Sequence, residues 1–172
     1  MYYQYPLKTM VRSRSAASQL QFARRAKVAL ADSDELLARP GTAGLALFAA
    51  NESALDPPAR ILRELYGDFV ELRPPVVRVI PGEPAQEPVM NVRVVSRKEH
   101  AAAILAEVRR RGARVDEECI RGRTYLLRAE APLALLLGLP AALDRLTGGG
   151  ADSAIRLARY APLPQGDGPE AA

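Results

Sequence analysis

The residues that could do chemistry are few, and their spacing does not bring them together. The chain holds one histidine, His100, and one cysteine, Cys119. His100 falls on the second turn of a helix opened by the S-x-x-E capping box Ser96/Glu99, where a solvent-exposed side chain is the ordinary outcome. There is no Cys/His set for zinc, no H-E-x-x-H pair, no G-x-x-x-x-G-K-[ST] phosphate loop and no G-x-S-x-G elbow. The glycine run TGGG at 147–150 lacks the following lysine and hydroxyl residue that would hold phosphate and magnesium. Asp116, Glu117 and Glu118 are adjacent carboxylates, but successive strand residues point to opposite faces, so the three do not converge on an ion. The expectation is a protein that is not an enzyme, with no metal, no cofactor and no small-molecule substrate.

Composition narrows the class further. At 172 residues with 48% hydrophobic content, the chain can bury a core. No apolar run reaches the roughly 18 residues of a membrane span, so no membrane partner is expected. Aromatics make up 5% and tryptophan is missing, so that core must be built from Leu, Val, Ile and Ala. One cysteine excludes an internal disulfide and fits a reducing, cytoplasmic setting. The net charge of +4 is unevenly spread. Residues 1–31 carry Lys8, Arg12, Arg14, Arg24, Arg25 and Lys27, with no acidic residue before Asp32. Such a block attracts polyanions with a strength that falls as salt rises. It also reads as a solvated helical extension, and its Ser/Ala content imitates an organellar transit peptide.

The elements that must position these residues follow from periodicity and breakers. Residues 1–40 read as a basic, partly helical N-terminal extension, extended over MYYQYPLK and helical over 16–37. Residues 41–82 read as a small α+β unit of strand, helix and strand. Its strand covers 43–49. Its helix starts at Asp56, takes Pro57 and Pro58 in the first turn, buries Ile61, Leu62 and Leu65, and stops at Gly67. The extended stretch 69–80 carries Pro74 and Pro75, which belong at a sheet edge. After a linker at 82–86, residues 86–162 alternate as βαββαβ. Met90, Val92 and Val94 share one strand face, and Ala101, Ile104, Leu105 and Val108 recur at helical spacing. Arg109, Arg110 and Arg111 suit a helix C-terminus stopped by Gly112. A hairpin turns around Arg121-Gly122. The second helix, rich in Leu133, Leu136, Leu137, Leu143 and Leu146, is interrupted by Gly138 and Pro140, so a bend or two short pieces is expected. Residues 163–172 read as a disordered tail. The fold class is α+β: a ferredoxin-like βαββαβ sandwich in the C-terminal half, with a smaller α+β unit before it.

Four landmarks stand in register across that second unit: EPVM at 87–90, RRRG at 109–112, AEAPL at 129–133 and RLTGGGA at 145–151. In these the segment 87–160 resembles the C-terminal domain of translation elongation factor G. The stretch before it resembles, in a strand, a helix ending Leu65-Tyr66 and then VELRPPVVRVI, a reduced version of that family's small α+β domain. No GTPase domain accompanies them. The resemblance implies a non-catalytic domain that docks on ribosomal RNA and protein. The chain departs from the family where an aromatic-Gly-Tyr pattern becomes Leu137-Gly138-Leu139, and where a basic residue of the turn becomes Gly150. These losses bear on whether rRNA contacts survive.

On an open sheet in the usual strand order, Arg93, Arg128 and Arg156 form a basic band, with Asn91, Thr124, Leu126, Ala158 and Tyr160 around it. Carboxylates such as Glu130 offer an alternative, neutralised surface. A single tyrosine is too few stacking platforms for sequence-specific single-strand recognition there. The candidate nucleic-acid or partner contacts are therefore Arg12, Arg14, Arg24, Arg25, Lys27, Arg93, Arg128 and Arg156. Two readings stay open: a ribosome- or RNA-associated accessory protein, and a protein–protein assembly module that kept the fold and changed partner, or that self-associates.

Overall fold

The computed structural model describes residues 2–164, and of Tyr2 only the backbone. It contains two βαββαβ units rather than one and a half. In the first, β1 (Leu7–Ser13) leads to α1 (Gln19–Val28), β2 (Leu36–Gly41), β3 (Gly44–Ala49), α2 (Asp56–Tyr66) and β4 (Val70–Leu72). A short β5 (Val76–Val77) adds to the same edge of β1. The sheet order is β2-β3-β1-β4, antiparallel throughout. In the second, β6 (Gln86–Arg97), α3 (Ala101–Arg110), β7 (Arg114–Arg121), β8 (Thr124–Pro132), α4 (Leu133–Leu136), α5 (Leu139–Thr147) and β9 (Asp152–Pro162) give the order β7-β8-β6-β9. The two orders are the same pattern, each first strand lying between its third and fourth.

The expected extension at 1–40 is thus replaced by the opening βαβ of a folded unit, and the strand–helix–strand at 41–82 is its latter half. The reason lies in how β1 alternates. Leu7, Thr9 and Val11 are buried while Lys8, Met10 and Arg12 face outward, so charged residues obscure a half-buried strand. Helix α1 is shorter than the expected 16–37. Ser18 caps it by accepting from the Gln21 amide at 3.3 Å, and its buried face is Phe22, Ala23 and Ala26. Those alanines bring the helix close to the sheet but add little to an apolar pattern. Beyond its end, Asp32 accepts from Lys27 Nζ at 2.6 Å, the Ala38 amide at 3.0 Å and Arg39 Nη1 at 2.9 Å. That knot turns the chain into β2. Gly44 starts β3 where a Cβ would meet the Val11 carbonyl at 2.4 Å.

Helix α2 buries Pro58, Ala59 and Leu62, whereas Ile61 and Leu65 are exposed. The expected burial of all three apolar residues fails because only the Leu62 side of the helix meets the sheet. Pro74 and Pro75 separate β4 from β5.

In the second unit the sheet turns Met90, Val92, Val94, Tyr125, Leu127 and Ala129 toward Ile104 and Val108 of α3 and toward the leucines of α4 and α5. Buried residues of both units belong to one contiguous cluster. The capping box expected at Ser96 is not formed. Ser96 lies inside β6 opposite Tyr125, its hydroxyl donates to the Arg97 carbonyl, and the chain enters α3 through a 3-10 turn at Lys98–His100. Residues 165–172 of the expected tail lie outside the described residues; Leu163 still pairs with Ala85 through its amide.

The leucine-rich helix does break in two. Gly138 has φ +82°, a conformation L side chains rarely adopt. Arg111 Nη1 donates to the Leu137 carbonyl at 2.7 Å, and the Gly138 amide donates across the units to Glu52 at 2.7 Å. Arg111 is itself fixed by Glu107 at 2.7 Å, and Arg110 binds the same carboxylate.

Two outcomes test this packing. Leu62→Ala, at a fully buried position, should cost about 2–5 kcal/mol in urea unfolding, whereas Leu65→Ala, 58% exposed, should stay within about 0.5 kcal/mol. Equal losses would mean α2 is rotated from the orientation given. The Glu107 carboxyl is held down to about 2 from its ordinary 4.5, by the Arg110 hydrogen bond first, then by Arg111, against desolvation. A depressed carboxyl stabilises the fold fully above about 4.5 and ceases to do so as pH falls toward about 2. The stability gap between wild type and Glu107→Gln should therefore narrow as pH falls from about 4.5 toward about 2, read from unfolding midpoints. A gap that stays constant would contradict the Arg110/Arg111 clamp.

Candidate docking surface

Because α3, α4 and α5 cover one face of the second sheet, its other face is left open. Strand alternation places Asn91 and Arg93 of β6, Thr124 and Arg128 of β8, and Arg156 of β9 there, all exposed, with Leu126 half-buried; a register shift opposite Val89/Met90 leaves Ala158 unpaired, brings Arg159 to this face and sets the expected Tyr160 against Tyr3 instead. Register brings Arg93 directly opposite Arg128, and Asn91 between Glu130 and Arg156. The three arginines line one concavity of about 640 Å³, together with Asn91, Asp116 and Glu117.

Its electrostatics are divided. Arg128 pairs with Glu117 at 3.5 Å, both about half exposed, and a pair so solvated contributes about 0–1 kcal/mol. Glu130 is occupied elsewhere: Arg159 donates to it at 2.7 Å, which lowers its pKa most, and Arg114 adds to the effect. Arg93 and Arg156 share no ion pair with another described residue. Like charges directly opposite on neighbouring strands are unfavourable unless something anionic lies between them. Glu117 meets that need for Arg128 only.

Glu117 was not foreseen as part of this surface. A bulge between Val115 and Glu117 adds Asp116 to the strand without a partner. Alternation therefore fails there, and Asp116 and Glu117 both reach the concavity. Asp116 accepts from Arg114 at 2.9 Å, so the adjacent carboxylates act as counter-charges for arginines. His100 ends the 3-10 turn before α3, apart from this face.

The N-terminal cations do not make one patch. Arg12 lies on the open face of the first sheet, opposite Glu71 of β4. Arg14 is exposed just past β1, its amide held by the Phe69 carbonyl at 2.7 Å. Arg24 and Arg25 are exposed on α1, in the helical layer across the sheet. Lys27 is bound to Asp32. Sequence reasoning named Lys8 in the basic block but left it out of the candidate contacts, and it missed Arg78. Their cationic groups lie 5.7 and 4.9 Å from the centre of the Phe48 ring on β3. The signal was the alternation of Lys8, Met10 and Arg12.

Comparison with known proteins bears on the second unit. Residues 85–168 match the family model described as elongation factor G C-terminus. The match covers the second unit, just under half of the chain. Elongation factor G 2 of Hahella chejuensis is 34% identical over 80 residues, covering 46% of this chain and 12% of the relative. A ribosome-releasing factor 2, mitochondrial, of Danio rerio is 32% identical over 77 residues, covering 45% of this chain and 10% of the relative. The match thus spans about a tenth of the length of these relatives. A crystal structure from Thermus thermophilus superposes on 91% of this chain and 40% of its own, with TM-score 0.63 and 15% identity. At that identity it shows a shared fold, and its coverage takes in both βαββαβ units. The landmarks of the elongation factor G C-terminus are placed by the fold: EPVM lies within β6, RRRG closes α3, AEAPL ends β8 and starts α4, and RLTGGGA ends α5 and leads into β9.

Proposed function

We propose that the chain is a non-catalytic docking module of the translation apparatus, working in the cytoplasm and holding ribosomal RNA through the open face of its second sheet. The observation that carries this reading is the facing pair Arg93 and Arg128, with Arg156 beside it, in one solvent-open concavity of an elongation factor G C-terminal domain. Three guanidiniums brought this close repel one another in isolation and bind phosphate oxygens well, each through a planar fork of donors. Phosphates set between them would remove the repulsion, so the face is better suited to a polyanion than to bare solvent. The names of the relatives, an elongation factor and a ribosome-releasing factor, support the ribosome as the source of that polyanion. No helix among the described residues is long and apolar enough to cross a membrane.

A protein-assembly reading has its own support. Leu65 and Phe69 are exposed beside Phe22 and Tyr66 in a groove between α1 and α2, the kind of apolar surface a protein partner covers. The two readings separate by salt. Co-sedimentation of the full chain with ribosomes from its own cells should be strong at about 50 mM salt and fall by an order of magnitude or more at about 200 mM. The double variant Arg93→Glu/Arg156→Glu should lose at least about tenfold in affinity with its melting temperature little changed. A complex that resists both salt and nuclease would favour the assembly module. The absence of pelleting at low salt would overturn the ribosomal reading.

A further inference from the structure

The first unit carries a second open sheet face, and it too is basic. Helices α1 and α2 cover the Leu7, Thr9 and Val11 side of β1, which leaves Lys8, Met10 and Arg12 on the other side. Register sets Lys8 between Phe48 of β3 and Val76 of β5, Met10 beside Ala46, and Arg12 beside Glu71. Arg39 of β2 follows on the Ala46 row, and the Arg78 guanidinium reaches the same face over the Phe48 ring.

Part of this charge is already engaged, the Arg78 guanidinium donating to the Tyr5 carbonyl at 2.9 Å. Glu71 is already engaged by Arg73 at 3.4 Å, and Asp32 by Lys27 and Arg39. Lys8 and Arg12 form no ion pair among the described residues. Phe48 has a structural part in this: its ring holds Lys8 from β1 and Arg78 from beyond β5 within about 6 Å of one centre, the range of a cation–π contact. An aromatic that gathers two cations on the central strands of an antiparallel sheet fixes their spacing across the strands. Gly44 adds to the flatness of the face, because a Cβ there would collide with the Val11 carbonyl and sit 3.1 Å from Arg12 Cγ.

We propose that this face binds single-stranded RNA through its phosphate backbone, with Lys8 and Arg12 as the contacts. A flat sheet with cations spread over several strands follows a flexible strand better than a rigid duplex, whose phosphates lie on a curved surface. One aromatic already occupied by cations supplies no code for base identity, so the binding is independent of sequence. The site lies in the other unit from the proposed ribosomal contact and does not depend on it.

The test measures anisotropy of a fluorescein-labelled 12-nucleotide oligouridylate with the full chain, against a 12-base-pair RNA duplex. Oligouridylate should bind with a logarithmic salt slope of about −1.4, as about two phosphate contacts require. Lys8→Glu/Arg12→Glu should weaken it at least about tenfold, and Lys8→Gln/Arg12→Gln, which keeps the size and removes the charge, should weaken it less and lower the slope. Arg93→Glu/Arg156→Glu should weaken oligouridylate less than Lys8→Glu/Arg12→Glu does while lowering ribosome pelleting more, so the two proposals fail separately. Unchanged affinity in the Gln variant, salt-insensitive binding, or preference for the duplex would each overturn the assignment.

Discussion

A break in one helix governs how the two units sit. Between α4 and α5 the helical hydrogen-bond ladder stops, which leaves the Leu137 carbonyl and the Gly138 amide without partners of their own. Each is satisfied from outside the helix, the carbonyl by Arg111 from the end of α3 and the amide by Glu52 from the other unit. A partly buried polar group left unpaired costs on the order of 1–3 kcal/mol, so neither partner is easily given up. Gly138 makes the geometry accessible through its positive φ, and Glu107 keeps Arg111 aimed. The seam is reinforced where the Tyr160 hydroxyl donates to the Tyr3 carbonyl and the two rings meet edge to face. Two open sheets, each presenting cations, are thereby held as one body.

The second unit was legible because its elements obey simple periods with large side chains. Alternation of valines in β6 and the stripe Ile104, Leu105 and Val108 in α3 can be read directly, and Gly138 announces the break. The first unit was half hidden for two physical reasons. Its first strand interleaves Leu7, Thr9 and Val11 with Lys8 and Arg12, so the solvent face dominates the composition. Its first helix packs through alanines, which allow close approach to the sheet without raising apparent amphipathicity. Ser96 misled in the other direction. The same S-x-x-E spacing that caps helices occurs here at the end of a strand, because pairing with β8 continues as far as Arg97.

The surface was legible in part for the same reasons. Placing Arg93 opposite Arg128 needed only alternation and the usual order of strands, and both hold. The counter-charge at Glu117 could not be read, because a bulge is a local shift in pairing that leaves no mark on composition. The N-terminal basic block shows the opposite problem. Its cations are neighbours along the chain, but a strand and a helix on opposite sides of a sheet separate Arg12 from Arg24 and Arg25. Linear charge density is therefore a poor guide to surface potential once the segment folds.

The topology leaves one face of each sheet open. A βαββαβ unit buries one face of its sheet under two helices and leaves the other flat, with side chains spaced by the strand-to-strand distance of about 4.8 Å and the two-residue repeat. Such a surface presents groups side by side; it does not enclose them, and an enclosed, water-poor pocket is what shifts acid–base groups toward catalysis. The most depressed carboxyls here are Asp32 and Glu107, and in each the arginine, lysine or amide partners that hold elements together outweigh desolvation. What the open faces supply is regularly spaced positive charge. A phosphate backbone supplies regularly spaced negative charge, and a sheet is the secondary structure whose spacing can meet it without a groove.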